Sequence, residues 1–356
     1  MPKLRGLKEN KPPSMSVKGK TFLITGGAGF IGSHVADAIV AGGGKAVIVD
    51  NLSTGRKENI NPDAIFYEAN IADRDIIDRI YHAYHPDYVY HFAWYVLVPK
   101  SIHDPLLDMD CLRGTINILQ AAKQYGTKKI IFSSSGFIYG NNPNLPLKES
   151  EPHIPGAPYS ITKSAVEGYL QFYRNNFGID YVIFRHAAVY GPRQITGAMA
   201  AYIRELQHGV SSEFYGLKTR DYIYISDVVD ANLRSLSLPS NHPDPIFNLG
   251  LGEETHLIDL YVVLAKLLRK EPKPIKLPDR PGEQDRYCVN IEKATRELDW
   301  KPCVKLEEGL RMTLAYWNLL DCDAVAVHAV PGFGFPAQVF QRTDSSPAQG
   351  TGGLTD

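Results

Sequence analysis

The stretch Thr21-Phe22-Leu23-Ile24-Thr25-Gly26-Gly27-Ala28-Gly29-Phe30-Ile31-Gly32 decides the fold. Thr21 to Ile24 is a short apolar run that leads into glycine, the pattern of a buried strand. Beyond the glycines, Ile31, Val35, Ala38 and Ile39 recur at helical spacing. The glycines therefore sit on a strand-to-helix turn, the setting a dinucleotide-binding loop requires. In that setting Gly26 permits a tight turn, Gly29 lets a pyrophosphate approach the backbone, and Gly32 allows close packing of the helix. The helix N-terminus offers unpaired N–H groups and a positive dipole end to phosphate.

The next strand supports this reading. Lys45-Ala46-Val47-Ile48-Val49 ends in Asp50, eighteen residues past Gly32. A carboxylate at that place accepts hydrogen bonds from the ribose hydroxyls and repels a 2′-phosphate, which favours NAD over NADP. Arg56 and Lys57 lie close by and argue the other way. The polar loop Asn51-Leu52-Ser53-Thr54-Gly55 separates the two features.

The rest of the chain sets limits. Its 356 residues with 44% hydrophobic content fill one large domain or two smaller ones. A formal net charge of -1 gives no field to recruit nucleic acid or an anionic membrane. No apolar run approaches the roughly 20 residues of a membrane helix. Cys111, Cys288, Cys303 and Cys322 are scattered without metal-ligand spacing, which predicts a reducing, cytoplasmic setting and no metal site. Residues 1–19 are Lys- and Pro-rich without an apolar core and read as a disordered leader. Residues 321–356 collect Pro, Gly, Ser and Thr and read as a disordered tail.

Between these ends, from residue 21 to about 180, strand and helix alternate, the mark of a parallel sheet covered on both faces. Ile65 to Ala69 reads as a strand, and Asp73 as the N-cap of a helix to Tyr84. Asp87 to Phe92 is a strand in which His91 reads as a buried, satisfied histidine rather than a ligand. Leu106 to Tyr125 is a helix. Lys128 to Phe132 is a strand that runs into Ser133-Ser134-Ser135, small hydroxyls at the edge where such sheets meet ligands. Tyr159 and Lys163 follow on a helix, four residues apart and on one face. An ammonium beside a phenol lowers the phenol pKa from about 10 and makes it a candidate general base.

With these residues in hand, the chain resembles the extended short-chain dehydrogenase/reductases, and within them the nucleotide-sugar branch typified by UDP-glucose 4-epimerase. The match runs from about residue 20 to 317. It includes Ser133-Ser134-Ser135, Tyr139-Gly140, Tyr159 with Lys163, Tyr190-Gly191-Pro192-Arg193-Gln194, Thr219-Arg220-Asp221-Tyr222, Asn248-Leu249-Gly250 and Arg280-Pro281-Gly282-Glu283. The resemblance implies an α/β fold: a Rossmann-type doubly wound parallel sheet over residues 20–185, joined by elements returning from the second half. A smaller C-terminal α/β lobe over 186–320 would hold a nucleotide sugar, with UDP the expected nucleotide. It implies NAD held by Gly26, Gly29, Phe30, Ile31, Gly32, Asp50, Asn51, Ser53, Gly55, Asn70, Ile71, Phe92 and Ala93, with Tyr159 and Lys163. It makes Ser135, Tyr159 and Lys163 the catalytic set: Tyr159 takes the proton of the sugar 4-hydroxyl, and a 4-keto sugar follows. Substrate contacts fall to Lys100, Arg193, Arg220, Asn248, Arg280 and Glu283. It implies a homodimer through the helices around Leu106 to Tyr125 and Tyr159 to Phe177.

The pattern breaks where the sugar should lie. Ala188 stands where Asn is common, Trp94 where a small residue is common, Leu97 where Ser or Thr is frequent, and Cys111-Leu112-Arg113-Gly114-Thr115 where the helix usually reads Asn-x-x-Gly-Thr. These changes predict a bulkier, more apolar pocket and a sugar other than plain glucose or galactose. The short connection from Gln194 to the next helix is similar to uronate epimerases and decarboxylases, although no residues for a sugar carboxylate are evident. Three readings follow: a nucleotide-sugar 4-epimerase; a dehydratase or decarboxylase using the same oxidation; and a silent binding protein. Gly136-Phe137 weakens the second, because dehydratases place Asp-Glu there. The intact Ser135, Tyr159 and Lys163 weaken the third.

Overall fold

The computed structural model describes residues 17–95, 98–279 and 284–320. The first half alternates as its sequence predicts. Strand β1 (Thr21–Thr25) leads into helix α1 (Phe30–Ala41), then β2 (Lys45–Asp50), β3 (Ile65–Glu68), α2 (Arg74–Tyr84) and β4 (Tyr88–His91). Helices α3 (Val98–His103) and α4 (Leu106–Tyr125) precede β5 (Lys129–Ser135), α5 (Pro158–Phe177) and β6 (Asp180–His186). Asp73 caps α2 as expected, its carboxylate accepting from the N–H groups of Asp75 and Ile76 at 3.1 and 3.3 Å. Strand ends elsewhere shift by one residue, and the larger difference is that β5 continues to Ser135, because its serines stay in register with Phe184, Arg185 and His186 of β6.

The second half holds short pieces: β7 (Ala188–Tyr190), α6 (Ala198–His208), β8 (Ser212–Tyr215), β9 (Thr219–Arg220), β10 (Tyr222–Tyr224), α7 (Ile225–Arg234) and β11 (Ile246–Leu249). Then come β12 (Thr255–His256), α8 (Leu257–Leu267), β13 (Pro274–Leu277), α9 (Glu292–Glu297) and α10 (Leu306–Tyr316). Pairs β7–β10 and β8–β13 are parallel, and β9–β12 is antiparallel.

The main sheet has seven parallel strands in the order β3-β2-β1-β4-β5-β6-β11. Both faces are covered, which is why its strands are continuously apolar rather than alternating. Leu23, Val47, Val89 and Ile130 pack with Ile77 and Ile80 of α2, Ile118 and Leu119 of α4, and Val166 and Leu170 of α5. On the opposite face Phe22 stacks on Tyr90 at 6.0 Å, and the Tyr90 hydroxyl donates to Asn232 O of α7 at 2.9 Å. So β11 and α7, though late in sequence, belong to the sheet layer. The strand order reverses between β1 and β4, and at that switch point the carboxyl ends of the strands open a crevice for ligands. Among the described residues, no helix is long and apolar enough to cross a membrane, and no group of three His, Cys, Asp or Glu side chains is placed to hold a metal.

Candidate active site

A cleft of about 1110 Å³ runs along the carboxyl edge of the sheet, from the glycine loop to the short strands of the second half. That lies just above the roughly 300–1,000 Å³ range of ligand pockets, so the cleft suits a large ligand or more than one.

At one end stands the glycine loop. Gly26 adopts φ +70°, and a Cβ there would lie 2.7 Å from Ala93 N and 2.8 Å from Phe92 C. A Cβ on Gly32 would lie 2.3 Å from Gly26 O. The third glycine is therefore required by the loop itself, more than by contact between helix and strand. No side chain caps the start of α1, so its first N–H groups face the cleft. Asp50 is buried behind the loop and accepts from Ala28 N at 3.0 Å and Leu52 N at 2.8 Å. Burial raises its pKa, and the N–H groups of Leu52, Ala28 and Gly29 work against that. Asn51, Ser53, Asn70, Ile71, Phe92 and Ala93 line the same end, and Gly55 backs Asp50. Lys57 is paired with Glu68 at 2.9 Å, and neither it nor Arg56 lines the cleft. This end fits a dinucleotide with a free 2′-hydroxyl: a loop without side-chain bulk, open N–H donors and one acceptor carboxylate.

In the middle, β5 and α5 bring Ser135, Tyr159 and Lys163 together, all buried. The Ser135 hydroxyl accepts from Phe137 N at 3.2 Å. Lys163 Nζ donates to Ser133 O at 2.5 Å and lies 5.8 Å from the centre of the Tyr159 ring. Its nearest aromatic faces are Trp94 at 4.1 Å and Phe132 at 4.6 Å. Burial pushes Tyr159 up to about 12, against the pull of the Ser135 hydroxyl, and pushes Lys163 down to about 7. The expected lowering of the phenol by its lysine is not seen in the protein's own residues: desolvation penalises both charges, and the ammonium stands 5.8 Å from the ring centre. His91 is the satisfied histidine expected: Nδ1 meets Thr25 Oγ1 at 2.7 Å and Nε2 meets Thr115 Oγ1 at 2.9 Å. Burial pushes its pKa to about 3.

At the far end the expected substrate residues separate. Arg220 lines the cleft, donates to Thr219 O and Gln284 O at 2.7 and 2.9 Å, and has its guanidinium 5.9 Å from the Phe137 ring centre. Arg193 also lines it but lies against α1, paired with Asp37 at 2.8 Å, and its Nη1 is buried without a partner among the described residues. Asn248 does not reach the cleft. It is fully buried, accepts from Tyr139 Oη at 2.8 Å and donates to Leu147 O at 2.9 Å, so its side chain ties β11 to the segments that carry Tyr139 and Leu147. Lys100 is exposed on α3, outside the cleft lining. Arg280 and Glu283, and Leu97 among the departures, lie outside the described residues, as do residues 321–356 and all but the last three residues of the leader.

Sequence reasoning missed several lining groups. Lys218 is buried and paired with Asp279 at 2.8 Å and with Asp285. His186 is buried at the end of β6, and neither ring nitrogen has a hydrogen-bond partner among the described residues. Tyr287 packs on Gly136, where a Cβ would meet its hydroxyl at 1.5 Å. None of these belongs to a local motif. The one available signal was the alternation along β6, which puts His186 two residues past Phe184 on the same face.

The sequence model of the NAD dependent epimerase/dehydratase family matches residues 22–250. A UDP-glucose 4-epimerase of Mycolicibacterium smegmatis is 35% identical over 309 residues, covering 83% of this chain and 98% of that protein. The crystal structure of a Thermotoga maritima UDP-glucose 4-epimerase with UDP-glucose is 37% identical with a TM-score of 0.80, covering 84% of this chain and 98% of the other. That of a Thermus thermophilus UDP-glucose 4-epimerase with NAD is 33% identical with a TM-score of 0.78, covering 84% and 99%.

Proposed function

The chain belongs to the NAD dependent epimerase/dehydratase family, and on that premise we propose that it is an NAD-dependent 4-epimerase of a nucleotide sugar, with UDP as the nucleotide. The observation that carries the proposal is the joining, in one cleft, of the uncapped glycine loop with Ser135, Tyr159 and Lys163. NAD fits the near end, where Gly26, Gly29 and the N–H groups opening α1 would hold the pyrophosphate and Asp50 a ribose. When bound, NAD would supply the hydride acceptor for C4 of the sugar and a positive charge to the site.

The protein's part is proton transfer and orientation. Tyr159 takes the proton of the 4-hydroxyl as C4 becomes a ketone, and returns it when the 4-keto sugar is reduced on its other face. The Ser135 hydroxyl hydrogen-bonds the same oxygen. Lys163, as the ammonium, stabilises the phenolate. Burial holds the phenol protonated at neutral pH, so its ionisation depends on charges gathered around it. Gly136-Phe137 in place of an acidic pair supplies no acid or base at that place to expel water, which favours the epimerisation course for the 4-keto sugar.

The short strand pairs with α6 and α8 form the lobe we assign to the sugar nucleotide, with Arg220 and Lys218 facing its phosphates. Ala188 lines the cleft without the amide often found at its place, which supports a sugar other than plain glucose or galactose. Homodimerisation through α4 and α5 is supported by Leu106, Met109, Ile161 and Phe172, large apolar side chains left exposed on these two packed helices. The buried cysteines Cys111 and Cys288 are free thiols, in keeping with a cytoplasmic setting.

The test is incubation of the purified protein with NAD and a panel of UDP-hexoses, UDP-uronates and UDP-N-acetylhexosamines, followed by mass spectrometry and proton NMR. A product of unchanged mass with an inverted C4 coupling pattern is expected and names the sugar. Loss of water or carbon dioxide overturns the epimerase assignment. Ordinary turnover of UDP-glucose would sink the reading of the sugar.

A further inference from the structure

Lys163 is a buried ammonium without an ion-pair partner among the described residues. Glu167, one turn along α5, is taken by Arg185 at 2.7 Å and by Ser134 Oγ at 2.5 Å. Asp108 of α4 is fully buried and also taken: one oxygen accepts from Ser101 Oγ at 2.5 Å and the other from Trp94 Nε1 at 3.3 Å. Ser101 Oγ in turn accepts from Tyr159 N at 2.8 Å. Asp108 thus ties the Trp94 indole to the residue that carries the phenol. The same indole presents its face to Lys163 Nζ at 4.1 Å and is braced edge-on by Phe132 and His91.

We propose that Trp94 is a positioning residue for Lys163: its ring, aimed by Asp108, seats the ammonium on the Tyr159 side of the cleft and keeps it charged. A cation over an indole face is stabilised most where water is excluded, and tryptophan is the strongest of the aromatic faces. The other titratable or charged groups around Lys163 are Asp108 and Cys111 of α4, Tyr159 and Glu167 of α5, His91 of β4 and His186 of β6. Both histidines are driven neutral by burial, so they add no competing charge at pH 7. Burial drags Lys163 down to about 7 even against the pull of Cys111, Asp108 and Glu167, and on this proposal the Trp94 face adds to that pull.

The proposal rests on the 4-epimerase reading for its meaning in the reaction but is tested apart from turnover. The experiment uses the full chain labelled with 13Cε-lysine, in which the Lys163 signal is the one lost in Lys163→Met. Its titration midpoint is followed in wild type, Trp94→Tyr, Trp94→Phe and Trp94→Met. The midpoint should fall in that order, by about one pH unit for Trp94→Met, since loss of a contact with the charged form favours the neutral amine. The pH profile of kcat should move with it. Tyr and Phe preserve most of the packing, so the graded shift is readable even if Trp94→Met does not fold. A flat series in an enzyme that turns over overturns the proposal. A graded series in a protein without turnover upholds the seat for Lys163 and sinks the epimerase reading instead.

Discussion

The two ends of the cleft are built by different means. The near end is backbone: the glycine loop, the first turn of α1 and one carboxylate that is itself held by N–H groups. The far end is side chain: Arg220, Lys218, His186 and Tyr287 come from short elements and connections spread over about a hundred residues. A backbone site tolerates little change in what it binds, because every donor is fixed by the fold. A side-chain site is re-cut by substitution without disturbing the sheet. A common cofactor at the near end and a variable sugar nucleotide at the far end match that division.

The sharpest cut between the ends falls at their junction. Tyr159→Phe removes the proton acceptor and keeps the ring, so kcat should fall about 10²- to 10⁴-fold with cofactor affinity unchanged. Stopped turnover with NAD binding intact by fluorescence would be the expected pair of results. Loss of both would mean that the junction is part of the near end.

Gly26→Ala attacks the near end alone. The new methyl would overlap the Phe92–Ala93 backbone at φ +70°, a conformation L residues adopt at a cost. The expectation is a loss of about 2 kcal/mol or more in stability together with loss of NAD binding. A variant that binds NAD normally would show that the loop is less rigid than its packing.

That contrast also explains what was legible. The near end is local in sequence: a strand, three glycines at fixed spacing, a helix and an acid at the end of the next strand all appear within thirty residues. Tyr159 and Lys163 are local too, four apart on one helix. The far end is not. Lys218 finds Asp279 and Asp285 more than sixty residues away, and Trp94 finds Asp108 and Lys163 on two different helices. Asn248 shows the reverse error. It sits in a recognisable run, Asn248-Leu249-Gly250, but its amide is consumed inside the protein. A motif reports that a residue is needed and leaves open whether the ligand or the fold needs it.

Arg220→Ala addresses the far end. A guanidinium bond to phosphate contributes about 1.5–3 kcal/mol, so KM for the nucleotide sugar should rise about 10- to 100-fold while NAD affinity holds. An unchanged KM would assign Arg220 to scaffolding, through its bonds to Thr219 and Gln284.

Arg193 is the residue on which the division itself turns. Its sequence position, after Tyr190-Gly191-Pro192, belongs to the far end, yet it leans on Asp37 of the near-end helix, and its buried Nη1 has no partner among the described residues. If position in the fold decides, Arg193→Ala should weaken NAD about three- to tenfold, the worth of one partly screened charge-assisted contact, and leave KM for the sugar nucleotide alone. Arg193→Lys should recover little, because an ammonium cannot hold Asp37 and reach the cleft together. Equilibrium NAD titration beside steady-state kinetics separates the cases. A rise in KM with NAD affinity unchanged would return Arg193 to the substrate end and show that the two ends share this wall.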